Sequence, residues 1–325
     1  DHYYYTLDAA TLRKYLPIAT ETMAFFRAHY PVRNGTVSIF PSQALETFWC
    51  DAADNASLPE ETWVNGSWRG PWNRSNCIEN DAPTLGALHT LSEKLLQLPA
   101  EFAAASERAE WAAYAAALPA LPVTNATLMS YSNMDSFPPK GHNGETPQCY
   151  AIHPWRVFSV GRSHASGLDL TPALNAAANG QPGWGTGAFP NAGWVQTIIH
   201  NALLGRAEMA ATQLIERSLH SAVPGMRSRA FAWGDICGHP PAAEQMNNAN
   251  TALNFMLLQS GDDGFDNATV VVFPAWPCTW DVDFKLAAPL NTTVSVRYVK
   301  GKLERFDVEP AARKPAVTFA GCVTN

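Results

Sequence analysis

Between residues 8 and 118 apolar side chains return every three or four positions, the spacing of one helix face. Leu12, Leu16, Ala19, Met23, Phe26 and Tyr30 follow Asp8, which predicts a helix N-capped by Asp8 and kinked at Pro17. Pro83 opens a second stripe through Leu85, Leu88, Leu91, Leu95 and Leu98, and Glu101 to Leu118 forms an alanine-rich third with Phe102, Trp111 and Tyr114. Two more stripes, Gly193 to Leu204 and Arg206 to His220, meet at Gly205 and predict a helical hairpin. A last helix is predicted from about Met246 to Gln259, stopped by the turn at Gly261 to Gly264.

Beyond that turn the period changes to two. Val270 to Phe273, Thr292 to Val299 and Leu303 to Val308 carry the β-branched alternation of strands, with Lys300 and Gly301 as the hairpin turn between the last two. The pattern therefore predicts helices up to about residue 262 and a small antiparallel β unit after it. Long Gly/Pro-rich loops, notably Ser136 to Pro147 and Asn179 to Pro190, separate the helices.

Composition adds a compartment. Asn-X-Ser/Thr triplets stand at Asn34, Asn55, Asn65, Asn73, Asn125, Asn267 and Asn291, and occupied sequons must face water in a secreted chain. The six cysteines agree with oxidising conditions, so the expected setting is extracellular, vacuolar or cell wall. Sequence distance favours Cys50 with Cys77 and Cys278 with Cys322, leaving Cys149 with Cys237. Asp1 follows no initiator Met and no apolar leader, which is expected of a chain processed from a longer precursor. A net charge of −7 gives no electrostatic footprint for nucleic acid, and no apolar run is long enough to span a bilayer.

The 11 Trp and 9 Tyr supply rings of the kind that stack on sugars, although core packing uses most aromatic side chains. Trp49, Trp155, Trp184, Trp194 and Trp233 are candidate walls of a sugar site. Asn247, Asn250 and Asn254 share one face of the last helix and offer amides to hydroxyl groups. His153, His164 and His239 lack metal-ligand spacing, and neither a metal nor a cofactor is expected.

Three segments taken in order, Phe40-Pro41-Ser42-Gln43-Ala44-Leu45-Glu46-Thr47, Gly193-Trp194-Val195-Gln196, and Glu244-Gln245-Met246-Asn247-Asn248 with Met256-Leu257-Leu258-Gln259, resemble the second half of the six-hairpin toroid glycosidases. The nearest resemblance is to glycoside hydrolase family 95, the inverting α-L-fucosidases and α-L-galactosidases. Pro274 to Asp281 resembles that family's passage into its C-terminal β-domain. The resemblance implies a mainly α fold, with part of an (α/α)6 toroid over residues 1–262 and a β-sandwich-like domain over 263–325.

It also implies roles. In the family's Pro-Ser-x-Ser-Pro-Glu segment Pro41, Ser42 and Glu46 match while Ala44 and Leu45 depart, which makes Glu46 the general acid. Counting back from Met256 to the family's base-orienting carboxylate gives Glu244, with Asp235 as its rival. An inverting glycosidase needs a protonated acid at the leaving oxygen and a base aiming water at the opposite face, and Phe40, Phe48 and Trp49 would desolvate Glu46 for the first task. The family's water-holding Asn residues lie upstream of this sequence. The apolar faces of Met23, Leu88, Trp111 and Ile198 would then lack neighbours, so a second chain from the same precursor is expected to complete the ring. The departures at Ala44, Leu45 and Gln245 to Asn248 support an alternative, a catalytically silent relative acting as a structural or carbohydrate-binding component of an extracellular assembly.

Overall fold

A computed structural model describes residues 1–48, 50, 63–64, 67–68, 77–134, 145–179, 196–219, 243–266 and 268–323. Its first layer is helical. A short α1 (His2–Thr6) leads into α2 (Ala9–His29), where the Asp8 carboxylate accepts the N–H groups of Ala10 and Thr11 and the helix runs unbroken past Pro17. Two short strands, β1 (Trp63–Val64) and β2 (Ser67–Trp68), pair antiparallel. Asp81 then caps α3 (Ala82–Gln97) and α4 (Ala105–Ala117) follows. Met23, Leu85, Leu88, Leu95, Trp111 and Tyr114 from α2, α3 and α4 meet in one buried cluster.

The second layer is mixed. β3 (Val123–Thr124) and β4 (Thr127–Leu128) form a hairpin. They are followed by α5 (Val160–Ser166), α6 (Thr171–Asn179), α7 (Thr197–Leu203), α8 (Ala207–Leu219) and α9 (Ala243–Leu257). The chain leaves α9 directly into β5 (Leu258–Ser260), which pairs with β6 (Val270–Val272), and β10 (Val317–Phe319) joins the far side of β6 in parallel. β7 (Val282–Ala288), β8 (Thr292–Val299) and β9 (Lys302–Glu309) make an antiparallel meander.

The charged face of this meander is held by pairs from Arg297 to Asp283 and Glu304, and from Arg305 to Asp283. Val294, Val296 and Tyr298 point the other way, into a core that also holds Ile198, Leu203 and Met256. The packing of α5 on β5 depends on a missing side chain: a Cβ on Gly161 would stand 2.1 Å from the Ser260 carbonyl oxygen.

Several expectations are corrected here. The described residues are a mixed α/β assembly with four small sheets, so the mainly α, toroidal architecture does not hold. The sheet β5–β6–β10 takes its strands from both sides of residue 262. Gln259 belongs to β5, because pairing with Val271 takes it out of the helix. Met23, Leu88, Trp111 and Ile198, expected to need a second chain, are at most 4% exposed within this one.

Cys50 bonds Cys77 and Cys278 bonds Cys322, the two links expected of these four cysteines. Cys149 is buried and bonded to no described cysteine, and Cys237 lies outside the described residues. Among the described residues no helix is long and apolar enough to cross a membrane.

Candidate functional site

The segment from Val37 to Phe48 is laid along residues 77–81 by a ladder of polar contacts. Ser38 Oγ donates to Glu79 Oε1 at 2.6 Å, and the Ile39 N–H donates to Asn80 Oδ1 at 2.8 Å. The Ser42 N–H donates to the Ile78 carbonyl at 3.1 Å. At the centre, Ser42 Oγ donates to Asp81 Oδ2, while Asp81 Oδ1 accepts the Thr84 N–H at 2.8 Å as the cap of α3. Asp81 has no exposed surface, and burial raises its carboxyl above the usual range against the opposing pull of Ser42 and Thr84. One buried carboxyl therefore fixes both the start of α3 and the position of Ser42.

Above Ser42 stands the C-terminal turn of α2, which carries four rings. Phe25 and His29 stack with centroids 5.3 Å apart and planes at 10°, Phe26 stacks on Tyr30 at 6.1 Å, and His29 meets Tyr30 edge-on at 4.6 Å. Tyr30 is held in place because its hydroxyl donates to the Pro41 carbonyl at 3.0 Å. Burial, then the neighbouring Asp81, raises the Tyr30 phenol, so it stays protonated as that donor. Tyr114 Oη sits 3.2 Å from the Phe26 and Tyr30 carbonyls at the helix end.

These pieces enclose an open cavity of about 530 Å3 whose walls include Phe25, His29 and Tyr30 on one side and Pro41, Ser42 and Gln43 on the other. Phe25 is 57% exposed, which leaves its ring open to the cavity. Apolar ring faces over a floor of hydroxyl and amide groups can bind a hydroxylated ring by stacking and hydrogen bonding together.

Other sequence-derived candidates fall elsewhere. Glu46 is exposed, in a turn where Leu45 takes φ 58° and the buried side chains are Ala44, Thr47 and Phe48. The desolvation expected of an acid catalyst is therefore absent, and Glu46 does not line the cavity beside it. Phe48, one of the rings expected around Glu46, points inward instead and packs on Tyr131.

Asn247, Asn250 and Asn254 are all exposed on α9. Trp155 lines a different cavity, between α1, α2 and α3. Trp49, Trp184, Trp194, Trp233, Asp235 and His239 lie outside the described residues, as does the side chain of Glu244 on α9. The ring cluster of α2 and the Asp81 cap were not singled out from sequence. The signals for them were present in Phe25-Phe26 with His29-Tyr30 and in Asp81-Ala82-Pro83-Thr84.

Three sequon asparagines are described, and all three are exposed at turns: Asn34 at φ 53°, Asn125 at φ 49° and Asn291 at φ 52°. Left-handed backbone in a tight turn suits Asn irrespective of glycosylation. Asn55, Asn65, Asn73 and Asn267 lie outside the described residues. Among the described residues no group of three His, Cys, Asp or Glu is placed to hold a metal.

No protein-family model matches the chain. Nor does any curated protein.

Proposed function

We propose that this chain is a carbohydrate-recognising component of an extracellular glycoprotein, binding a neutral sugar ring in the cavity between the α2 ring cluster and Pro41-Ser42-Gln43. The observation that carries the reading is the exposed Phe25–His29 stack beside a Ser42 hydroxyl fixed by a buried carboxyl. Ser42 commits its proton to Asp81, which leaves its oxygen to accept from a ligand hydroxyl. The Gln43 amide nitrogen donates to the Leu45 carbonyl at 2.8 Å, and its amide oxygen supplies a further acceptor. Two disulfides and the seven sequons support the extracellular setting.

Binding without hydrolysis fits the exposure of Glu46, because the general acid of a glycosidase sits in a partly desolvated site and the Glu46 side chain faces water. The inverting glycosidase remains the second reading, resting on the match of Pro41, Ser42 and Glu46 to the general-acid segment. A glycan array with the native protein, followed by calorimetry on any hit, tests the first reading. Phe25→Ala is expected to weaken binding at least about tenfold through loss of the stacking face. Turnover of aryl α-L-fucoside or α-L-galactoside that disappears in Glu46→Gln would support the second reading instead.

A further inference from the structure

The cavity containing Trp155 has about 510 Å3 and is built differently from the sugar site. Its long walls are aliphatic, with Leu12, Leu16 and Ala19 from α2 facing Leu91 and Leu95 from α3. All but Leu95 are only partly buried, although the sequence pattern places them on core-facing helix stripes. The space between the helices is what leaves them half open.

Polar groups gather where the cavity meets α1 and the turn at Pro154 to Arg156, and they are mostly donors without acceptors. Tyr4 Oη and Trp155 Nε1 are buried donors with no hydrogen-bond partner, and Gln97 Oε1 is an unfilled acceptor beside them. Tyr4 is 3% exposed, and burial raises its phenol far enough that it keeps its proton. Lys94 Nζ lies over the Tyr4 ring at 4.8 Å and forms an ion pair with Asp262 Oδ1 at 3.2 Å, which leaves further ammonium protons to donate.

Arg156 Nε also reaches Asp262, at 3.2 Å, so two cations share one carboxylate that is 2% exposed. Asp1, which meets Arg156 at 2.8 Å, is 55% exposed and screened by water. Buried donors left unpaired are costly, and a ligand that brings acceptors relieves that cost.

We propose that this cavity binds an alkyl carboxylate, its chain along the Leu12–Leu16–Leu91 trough and its head group accepting from Tyr4 Oη–H, Trp155 Nε1–H and Lys94 Nζ. Three donors to one acceptor fit a carboxylate and do not fit a sugar, which brings hydroxyl donors of its own. The proposal stands apart from the sugar site, because the two cavities share no lining residue.

Calorimetry on the native protein with dodecanoate, and with dodecanol as its uncharged counterpart, tests it. Saturable dodecanoate binding is expected, with dodecanol at least about tenfold weaker. Tyr4→Phe deletes one donor and keeps the ring, so it is expected to weaken dodecanoate several-fold and leave dodecanol unchanged; Trp155→Phe deletes a second donor with part of the wall and is expected to weaken dodecanoate more than dodecanol. Ala87→Phe, which fills the trough, is expected to abolish both while circular dichroism stays native. Absence of saturable dodecanoate binding to the folded protein would overturn the proposal. Equal affinity for the acid and the alcohol would overturn it too, as would indifference to both donor deletions.

Discussion

Ser42 donates its hydroxyl proton to the buried carboxyl of Asp81, joining the Pro41–Gln43 wall of the cavity to the first turn of α3. Asp81 satisfies two donors that have no other described partner, the Ser42 hydroxyl and the Thr84 N–H. Asp81→Ala is expected to destabilise the protein by about 2 to 3 kcal/mol, from the lost cap and an unpaired hydroxyl. Asp81→Asn keeps an acceptor at the cap and should cost below about 1 kcal/mol at neutral pH. Urea unfolding of both variants measures the difference.

Gly161 offers a cleaner packing test. A methyl group there would meet the Ser260 backbone carbonyl at 2.1 Å, and backbone cannot rotate away as a side chain end can. Gly161→Ala should therefore destabilise by roughly 3 kcal/mol or more, above the usual gain of alanine over glycine in a helix. An unchanged midpoint of thermal unfolding would show that α5 and β5 do not pack as described.

His153 sets a pH dependence. Burial, then repulsion from Arg156, lowers its imidazole to about 4, so the folded protein holds it neutral. The unfolded chain binds that proton below about 6.5, hence more protons than the native state between there and about 4. Stability from His153 is thus present at neutral pH and lost as the pH falls through that window. His153→Phe should flatten the fall, with the two proteins compared by denaturant midpoint at successive pH values.

The exposed sequons separate turn chemistry from modification. Thr36→Ala, Thr127→Ala and Thr293→Ala each destroy a sequon while leaving Asn34, Asn125 and Asn291 in their left-handed turns. Secreted protein carrying each change should lose the mass of one glycan. The corresponding Asn→Gln changes should lose the same mass and also destabilise the turn, by about 1 kcal/mol.

How much of this was readable in the chain depends on the interaction involved. Met23, Leu88 and Trp111 each belong to an apolar stripe at helical spacing, and a helix buries the stripe its sequence supplies, so α2, α3 and α4 follow from local pattern. The caps Asp8 and Asp81 are equally local. β7 alternates Val282, Phe284 and Leu286 inward with Asp283 and Lys285 outward, a period-two signal as plain as that of β8, and was missed.

Long-range pairing was not readable. Gln259 continues a helical run in sequence, yet pairing with Val271 draws it into β5. The toroid expectation failed for a related reason: short matched segments fix the order of elements along the chain but not which faces they bury against one another.

The candidate site was half legible. Pro41 and Ser42 drew attention through a resemblance that pointed at Glu46, three residues beyond the cavity wall at Gln43. The groups that face the cavity from α2 sit on the flank of the helix stripe, where Phe25 and His29 fall outside the apolar face that the period selects. Asp81 reads in sequence as a helix cap, and its second bond, to Ser42, spans 39 residues.

Calorimetric titration of the native protein with the best ligand from a glycan array, repeated on Phe25→Ala and Ser42→Ala, tests the central claim most directly. The expected result is saturable binding of a neutral glycan that both substitutions weaken about tenfold or more while the fold stays intact. Binding that persists unchanged in both variants, or no glycan bound by the folded native protein, would contradict it.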